Sequence, residues 1–160
     1  MKTIVMTGAS AGIGHVTAQD LIAAPRVRLI TGGRSKPPVG AEFFRLDLTS
    51  LASVREFAAG VREALGNTCI DVLVLNAGTH FGATKHRTKD GFETTFAANH
   101  LAHYLLLRLL MPCFSVGALV IFTTSNLHDP DTNPVAPPEH ADAMLLAKGK
   151  VEANDPPSLR

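Results

Sequence analysis

IVMTGASAGIG, residues 4–14, is the stretch that decides the fold of this 160-residue chain. Three apolar residues precede a glycine-rich turn, and apolar residues then recur at helical spacing at Ile13, Val16 and Leu21. The stretch therefore predicts a strand, a tight turn and a helix in direct succession. Glycines at such a turn allow close approach to the backbone, and the unpaired N–H groups and positive dipole end of the helix favour a pyrophosphate there.

The alternation of strand and helix continues along the chain. Further strands are predicted at residues 27–31, 42–46, 70–75 and 118–122, and helices at residues 13–24, 51–65 and 92–111. Ser50 is the expected cap of the second helix, and Gly66 its expected end. Strands that alternate with helices are joined by right-handed crossovers into a parallel sheet. The sequence therefore predicts an α/β fold with a doubly wound parallel sheet.

The regular pattern ends after the fifth predicted strand. From Asn126 onward six prolines stand among polar residues, and only residues 141–147 suit a helical turn or two. We therefore expect a sheet truncated after about five strands. The predicted domain covers residues 1–128, and residues 129–160 form a proline-rich loop or tail that leads to a missing C-terminal part. Such a sheet exposes an open edge and apolar helix residues, so self-association is expected.

Composition excludes several classes of partner. The chain is 46% hydrophobic and 18% charged, with a net charge of +1 and no Lys/Arg-rich run. It should fold, and neither nucleic acid nor a membrane is expected as a partner. The most apolar later segment, residues 101–116, is interrupted by polar residues and is shorter than the ~20 residues of a bilayer span. Cys69 and Cys113 lack metal-type spacing, which favours reduced thiols in a cytoplasmic protein.

The glycine-rich turn also fits a second pattern. Residues 8–12, GASAG, match the G-x-S-x-G nucleophile elbow of serine hydrolases, with Ser10 as the nucleophile. Such an elbow follows several strands and an upstream oxyanion loop, whereas only seven residues precede Gly8. A serine hydrolase that uses Ser10 is therefore a remote alternative.

Five motifs in order carry a resemblance to a known family. They are T-G-x-x-x-G-I-G at residues 7–14, Asp47-Leu48, Asn76-Ala77-Gly78, Asn99 within NHLAHY at residues 99–104, and Ser125 after the fifth strand. Their order and spacing resemble the short-chain dehydrogenase/reductase family from Met1 to about His128, most of all its retinol-dehydrogenase and protochlorophyllide-reductase-like branch. The resemblance implies a Rossmann-type sheet, a bound nicotinamide dinucleotide and a small carbonyl or alcohol substrate.

The resemblance also implies which residues bind the coenzyme. Gly8, Ser10, Gly12, Ile13 and Gly14 would line the phosphates, Asp47 and Leu48 would contact adenine, and Asn76, Ala77 and Gly78 would flank the ribose and secure the central strand. Dinucleotide folds usually place an acid after the second strand, where this chain has Arg34. A guanidinium pairs with a 2′-phosphate, a group that NAD lacks, so the sequence favours NADP over NAD.

Two further residues would serve the reaction by the same resemblance. Ser125 would stabilise the oxyanion that develops on the substrate carbonyl, and Asn99 would kink the long helix and hold a water in a proton relay. The family also needs a Tyr-x-x-x-Lys motif after the serine, but the single tyrosine, Tyr104, precedes Ser125. A general acid contributes ~10²–10⁴ in rate, so we expect this chain alone to be nearly inactive. A non-catalytic NAD(P)-binding module is the alternative.

The histidines could suggest a metal site. His100 and His103 lie one helical turn apart, and His128 and His140 lie further along the chain. No third ligand accompanies either pair at metal-site spacing, so ordinary helix and loop histidines are favoured and no metal is expected.

Overall fold

The computed structural model describes residues 1–79, 87–125, 131 and 142–149. Its strands are β1 (Lys2–Thr7), β2 (Val27–Gly33), β3 (Glu42–Arg45), β4 (Ile70–Leu75) and β5 (Phe114–Phe122). They form one sheet in the order β3-β2-β1-β4-β5, and every neighbouring pair is parallel. This architecture confirms the predicted α/β fold with a Rossmann-type parallel sheet.

The helices are α1 (Gly12–Ala23), α2 (Leu51–Leu65), α3 (Thr94–Phe96), α4 (Ala102–Leu110) and α5 (Ala143–Lys148). The helix predicted at residues 51–65 is confirmed residue for residue. The hydroxyl of Ser50 accepts the N–H of Ser53 at 3.3 Å, and Gly66 ends the helix with a positive φ of 55°. Both ends of α2 are therefore set by local capping chemistry.

Helices cover both faces of the sheet. On one face α2 and α4 bury Phe57, Val61 and Leu106 against strand residues such as Val5 and Leu73. On the other face, the core packed beneath α1 contains Ala18 together with strand residues Ile4, Met6, Leu29 and Val72. Neighbouring residues of a strand point to opposite faces, so β1 contributes Val5 to one core and Ile4 and Met6 to the other. The sheet is therefore wound on both sides.

The single helix predicted at residues 92–111 is broken into pieces. Between α3 and α4 lies a π-helical segment, Ala97–Leu101, and after α4 a 3₁₀ turn, Met111–Cys113. A π segment inserts an extra residue into the helical turn, and hydrophobic periodicity does not reveal it because the buried stripe continues on both sides. Asn99 lies in the middle of this segment.

The fifth strand begins earlier than predicted, at Phe114 instead of Ala118. Its register against β4 shifts between the pairs Ile70–Phe114 and Val72–Leu119, and Gly117 has a φ of +78° in the intervening irregularity. A glycine at a bulge interrupts the apolar pattern. The apolar pattern of the sequence therefore does not indicate the first half of this strand.

Asp71 is the polar residue within the apolar strand β4. Its carboxylate accepts the Thr3 N–H at 2.8 Å and the Ser115 hydroxyl at 2.9 Å. These bonds, with that from Thr3 the larger, hold the pKa of Asp71 below its ordinary value. The side chain therefore stays ionised and joins the amino-terminal ends of three neighbouring strands.

Residues 126–130, 132–141 and 150–160 lie outside the described part of the chain, so the division into residues 1–128 and 129–160 remains a prediction. The short helix predicted at residues 141–147 is present as α5, and the Ala147 carbonyl accepts the Glu93 N–H at 2.8 Å. Within the described ranges, no helix has the length and apolar character needed to cross a membrane.

Candidate functional site

A groove lies at the carboxyl-terminal edge of the sheet, where the strand order reverses. The chain runs outward from β1 to β2 and β3, then returns past β1 to form β4 on its other side. Open α/β sheets bind ligands at this reversal. The groove has a volume of about 470 Å³, and its lining comes from the segments after all five strands and from the helix that carries Asn99.

Close packing of glycine backbone shapes the floor of the groove. Gly8 has a φ of +75°, and a β-carbon there would lie 2.7 Å from the Ala77 Cα atom. A β-carbon at Gly14 would collide with the carbonyl oxygen of Gly8. The first turn of α1 therefore lies directly on the loop that follows β1, and side chains are excluded from both positions.

In the described part of the chain, no side chain caps the N–H groups at the amino terminus of α1. Its cap residue is Ala11, which makes no side-chain capping bond, and no acidic residue lies in the first turn. The unpaired N–H groups and the positive end of the helix dipole therefore face the groove with no compensating anion from the described residues. This arrangement fits a phosphate group.

Thr7 joins the first turn to the loop that follows β4. Its hydroxyl accepts the N–H groups of Asn76 and Ala77, each at 3.1 Å. The same hydroxyl lies 3.1 Å from Nε2 of His103, whose Nδ1 lies 3.2 Å from the Asn99 carbonyl oxygen. The sequence favours an ordinary helix histidine at position 103, and its spacing gives no sign of this connection to Thr7.

Asn76 extends the connection to β1 and to the end of β5. Its side-chain N–H donates to the Gly8 carbonyl at 3.2 Å, and its Oδ1 accepts the Thr123 hydroxyl at 3.0 Å. The Thr123 N–H in turn donates to the Leu75 carbonyl at 3.1 Å. One amide side chain therefore holds three strand ends at a fixed separation.

Asn99 fixes the π segment to the same loop. Its Nδ2 donates to the Thr79 carbonyl at 2.8 Å, and its Oδ1 accepts the Thr79 N–H at 2.9 Å. The amide therefore pairs with both backbone groups of Thr79. The broken helix and the loop after β4 form one wall of the groove.

Charged groups lie around Asp47, at the end of the groove away from the wall that contains Asn99. Oδ1 of Asp47 accepts both the N–H and the hydroxyl of Thr49, at 2.9 and 2.7 Å. Partial burial raises the pKa of Asp47, but the bonds from Thr49 and the positive charges of Arg34 and Arg45 outweigh it, so the pKa lies below its ordinary value. The carboxylate is ionised, and Arg34 lies close enough to act on it.

The groove brings together all but two of the residues that the sequence singled out. Its lining includes Gly8, Ser10, Ile13, Gly14, Arg34, Asp47, Leu48, Asn76, Ala77, Gly78 and Asn99. Gly12 begins α1 with a φ of +55° and stands outside the lining. Ser125 is exposed two residues after Thr123, which does line it. The functional roles of these residues remain predictions.

Sequence reasoning missed several lining residues, among them Ser35, Thr49, Thr79, Ala98 and Thr123. Thr49 was within reach, because an Asp followed two residues later by a hydroxyl residue often forms a local turn. Thr79 and Thr123 each follow a strand closely, and that position is the available signal for them.

Ser10 is exposed at the turn after β1. Within the described residues no histidine hydrogen-bonds it, and both ring nitrogens of His103 are engaged elsewhere. A serine nucleophile needs an adjacent base. This geometry gives no support to the serine hydrolase alternative.

Comparison with known proteins agrees with the groove and the strand order. The family model described as short chain dehydrogenase matches residues 2–131. The chain belongs to the short-chain dehydrogenase family. The resemblance deduced from the five motifs is thereby confirmed.

Individual relatives of this short-chain dehydrogenase chain come from the expected branch. It is 37% identical over 130 residues to retinol dehydrogenase 13 of Homo sapiens, covering 73% of this chain and 38% of that protein. It is 38% identical over 123 residues to protochlorophyllide reductase B, chloroplastic, of Oryza sativa subsp. japonica, covering 68% and 30%. The chain thus spans about a third of the length of these curated relatives.

A solved structure supports the same assignment. The alcohol dehydrogenase from the archaeon Thermococcus sibiricus, complexed with 5-hydroxy-NADP, superposes with a TM-score of 0.63 and 28% identity. The match covers 80% of this short-chain dehydrogenase chain and 60% of that one.

The substitution Gly14→Ala should destabilise this short-chain dehydrogenase fold. Its methyl group collides with the Gly8 carbonyl, so we expect a loss of about 1–3 kcal/mol in the free energy of unfolding, as for other overpacked sites. Urea denaturation measures it. Gly78→Ala is the matched control, since a β-carbon there has its nearest neighbour, Asn99 Oδ1, at 3.9 Å. Equal stability of the two variants would contradict the close packing.

Proposed function

We propose that this chain is the coenzyme-binding part of an oxidoreductase that transfers a hydride between NADP(H) and a carbonyl or alcohol substrate. The observation that carries the proposal is the groove at the uncapped amino terminus of α1, with Arg34 in the lining at its adenine end. Family membership supports the reaction class. Bound to this site, the nicotinamide ring would supply or accept the hydride.

The diphosphate fits the end of the groove formed by the turn after β1. The backbone N–H groups at the start of α1 have no side-chain cap, and Gly8 and Gly14 let the turn after β1 pack closely against the first turn of α1. Gly8, Ser10, Gly12, Ile13 and Gly14 would hold the phosphates. Asn76, Ala77 and Gly78 would flank the ribose.

Arg34 supports NADP over NAD. It follows β2, is exposed and lines the groove, and its positive charge acts on Asp47. Its guanidinium would pair with a 2′-phosphate through charge-assisted hydrogen bonds, for which NAD offers no partner. The archaeal relative was solved with an NADP derivative, which agrees with this preference.

Substitution of Arg34 tests the coenzyme preference. We expect Arg34→Ala to raise the Kd for NADPH by about ten- to a hundredfold, because a charge-assisted pair is lost, and to leave the Kd for NADH within about twofold. Titration calorimetry measures both constants. Arg55→Ala, at an exposed position of α2, is the control for net charge. Equal Kd values for NADPH and NADH in the unsubstituted protein would contradict the preference for NADP, and binding of neither coenzyme would contradict the proposed function.

At the reaction end, Ser125 and Asn99 would serve the substrate. The Ser125 hydroxyl would donate a hydrogen bond to the carbonyl oxygen of the substrate, where negative charge develops as the hydride reaches the carbonyl carbon. The Asn99 amide is held by Thr79, and Asn99 would position a water for the proton that this oxygen receives. Thr123 lines the groove two residues before Ser125.

These 160 residues contain no Tyr-x-x-x-Lys motif, and their one tyrosine is Tyr104. We therefore propose that they turn over carbonyl substrates slowly by themselves. This absence also favours a second candidate, a non-catalytic module that binds NADP(H) without reducing a substrate. The two candidates differ in whether the motif is joined to this chain in the protein.

Oxidation of NADPH by the 160-residue chain, with a set of small aldehydes and ketones, tests this point. We expect rates at least about a hundredfold below those of a complete family enzyme assayed beside it, because the general acid is lacking. Tyr104→Phe should leave the residual rate unchanged. Rapid turnover that Tyr104→Phe abolishes would show that Tyr104 is the acid and would overturn this proposal.

We further propose that the chain self-associates through β5. Val116, Leu119, Ile121 and Phe122 are exposed apolar residues of this strand, and within the described part of the chain β5 pairs with β4 alone. A second copy would extend the sheet and cover these side chains.

Sedimentation analysis tests self-association. We expect a dimer or larger species whose fraction rises with concentration, and Ile121→Lys should shift it towards monomer, because a charge at an apolar interface is costly. Val39→Lys is the matched control, since Val39 is fully exposed in the loop between β2 and β3. A monomer at all concentrations for the unsubstituted chain would contradict the proposal.

A further inference from the structure

His103 is a buried histidine that no step of the proposed function uses. It lies in α4 with 3% of its surface exposed. Its two ring nitrogens contact different parts of the groove wall: Nε2 lies 3.1 Å from the Thr7 hydroxyl, and Nδ1 lies 3.2 Å from the Asn99 carbonyl oxygen. The imidazole therefore connects the end of β1 with the π segment.

The partners of Thr7 determine which nitrogen carries the proton. A hydroxyl has two acceptor lone pairs and one proton. Both lone pairs of the Thr7 oxygen are engaged by the N–H groups of Asn76 and Ala77, so its proton must point to Nε2 of His103. That nitrogen is then the acceptor, and Nδ1–H donates to the Asn99 carbonyl, since a neutral imidazole has one donor and one acceptor.

We propose that neutral His103, as the Nδ1–H tautomer, is a positioning residue of the coenzyme groove. Its Nε2 accepts a hydrogen bond from the Thr7 hydroxyl. This bond keeps the hydroxyl oriented so that both of its lone pairs face the loop after β4. This loop bears Asn76, Ala77 and Gly78, so the inference that coenzyme affinity depends on His103 rests on the proposed function.

Protonation of His103 would break this arrangement. A proton on Nε2 would point at an oxygen whose lone pairs are already engaged. One of the two hydrogen bonds that the Asn76 and Ala77 N–H groups donate to Thr7 would then have to break. Burial lowers the pKa of His103; the hydrogen bond to the Asn99 carbonyl opposes this effect, and the smaller field of His100 adds to it. The groove should therefore be intact at neutral pH and loosen when the pH falls below the ordinary histidine range.

Other charged groups near His103 are few in the part of the chain that the structure describes. His100 lies one turn earlier, in the π segment, and Arg108 of α4 is exposed. Around its ring, β1 and the loop after β4 present uncharged groups of Thr7, Asn76 and Ala77. The charged residues of α2, which packs against α4, are exposed: Arg55, Glu56, Arg62 and Glu63. Lys2 and Asp71 lie towards the opposite ends of β1 and β4.

Two measurements on the full 160-residue chain test the proposal. The first is nitrogen-15 NMR of the histidine rings in the free protein. We expect a protonated Nδ1 and an unprotonated Nε2 for His103 at about pH 7.5, and we expect the amide signals of Asn76 and Ala77 to shift with the midpoint of His103 as the pH falls. In His103→Gln these two signals should be independent of pH, whereas in His100→Gln they should still titrate, with a midpoint moved upward because the field of His100 is lost.

The second measurement is the Kd for NAD between about pH 8 and pH 5. NAD is chosen because the 2′-phosphate of NADP itself titrates near pH 6. The unsubstituted chain and the control His100→Gln should lose about five- to tenfold in affinity over this range, the equivalent of one hydrogen bond. His103→Gln, whose amide oxygen can accept from Thr7 without titrating, should keep a constant Kd. His103→Phe, which offers no acceptor, should bind weakly at every pH.

Any of three results would overturn the positioning role. The first is a protonated Nε2 at neutral pH, and the second is a set of Asn76 and Ala77 amide signals that do not change as His103 titrates. The third is the same pH dependence of the Kd in His103→Gln as in the unsubstituted chain. If the unsubstituted chain binds no coenzyme, the proposed function fails. The NMR measurement still decides the role of His103 in the wall of the groove.

Discussion

The close approach of two backbone segments governs the rest of the structure. The carbonyl oxygen of Gly8 occupies the space where a β-carbon of Gly14 would lie, and the Ala77 backbone closes in on Gly8 from the other side. The loop after β1, the first turn of α1 and the loop after β4 thus meet closely, and the Asn76 side-chain amide lies against both glycines. Within the described residues no side chain caps the amino terminus of α1, so its N–H groups are open to the groove.

Hydrogen bonds at the strand ends hold this approach in place. Parallel register places Thr7, Gly32 and Leu75 side by side at the ends of β1, β2 and β4, so the residues that follow these strands reach the same edge of the sheet. Thr7 and Asn76 then supply bonds across the gaps between the strand ends. The groove is consequently made by topology, and a small number of polar side chains fix its width.

The sequence predicted the parts of the structure that local chemistry determines. Residues 51–65 form a helix as expected because Ser50 and Gly66 define its ends, and residues 70–75 form a strand because a continuous apolar run of that length suits a central parallel strand. The π segment around Asn99 depends on tertiary packing and leaves the apolar pattern intact, whereas the bulge at Gly117 interrupts the apolar run of β5. The contact between Thr7 and His103 joins residues 96 positions apart, and no spacing rule reports such a pair.

The charges around Asp47 explain how an acid and an arginine occupy the same groove. A bare carboxylate at Asp47 would repel a phosphate placed at Arg34. Thr49 instead engages one oxygen of Asp47 with two hydrogen bonds, and the charge of Arg45 adds to that of Arg34 in favouring the ionised form. Two cations therefore face one acid, and the local balance is positive. An arginine in this setting retains attraction for a further anion, whereas an acid at position 34 would have excluded it.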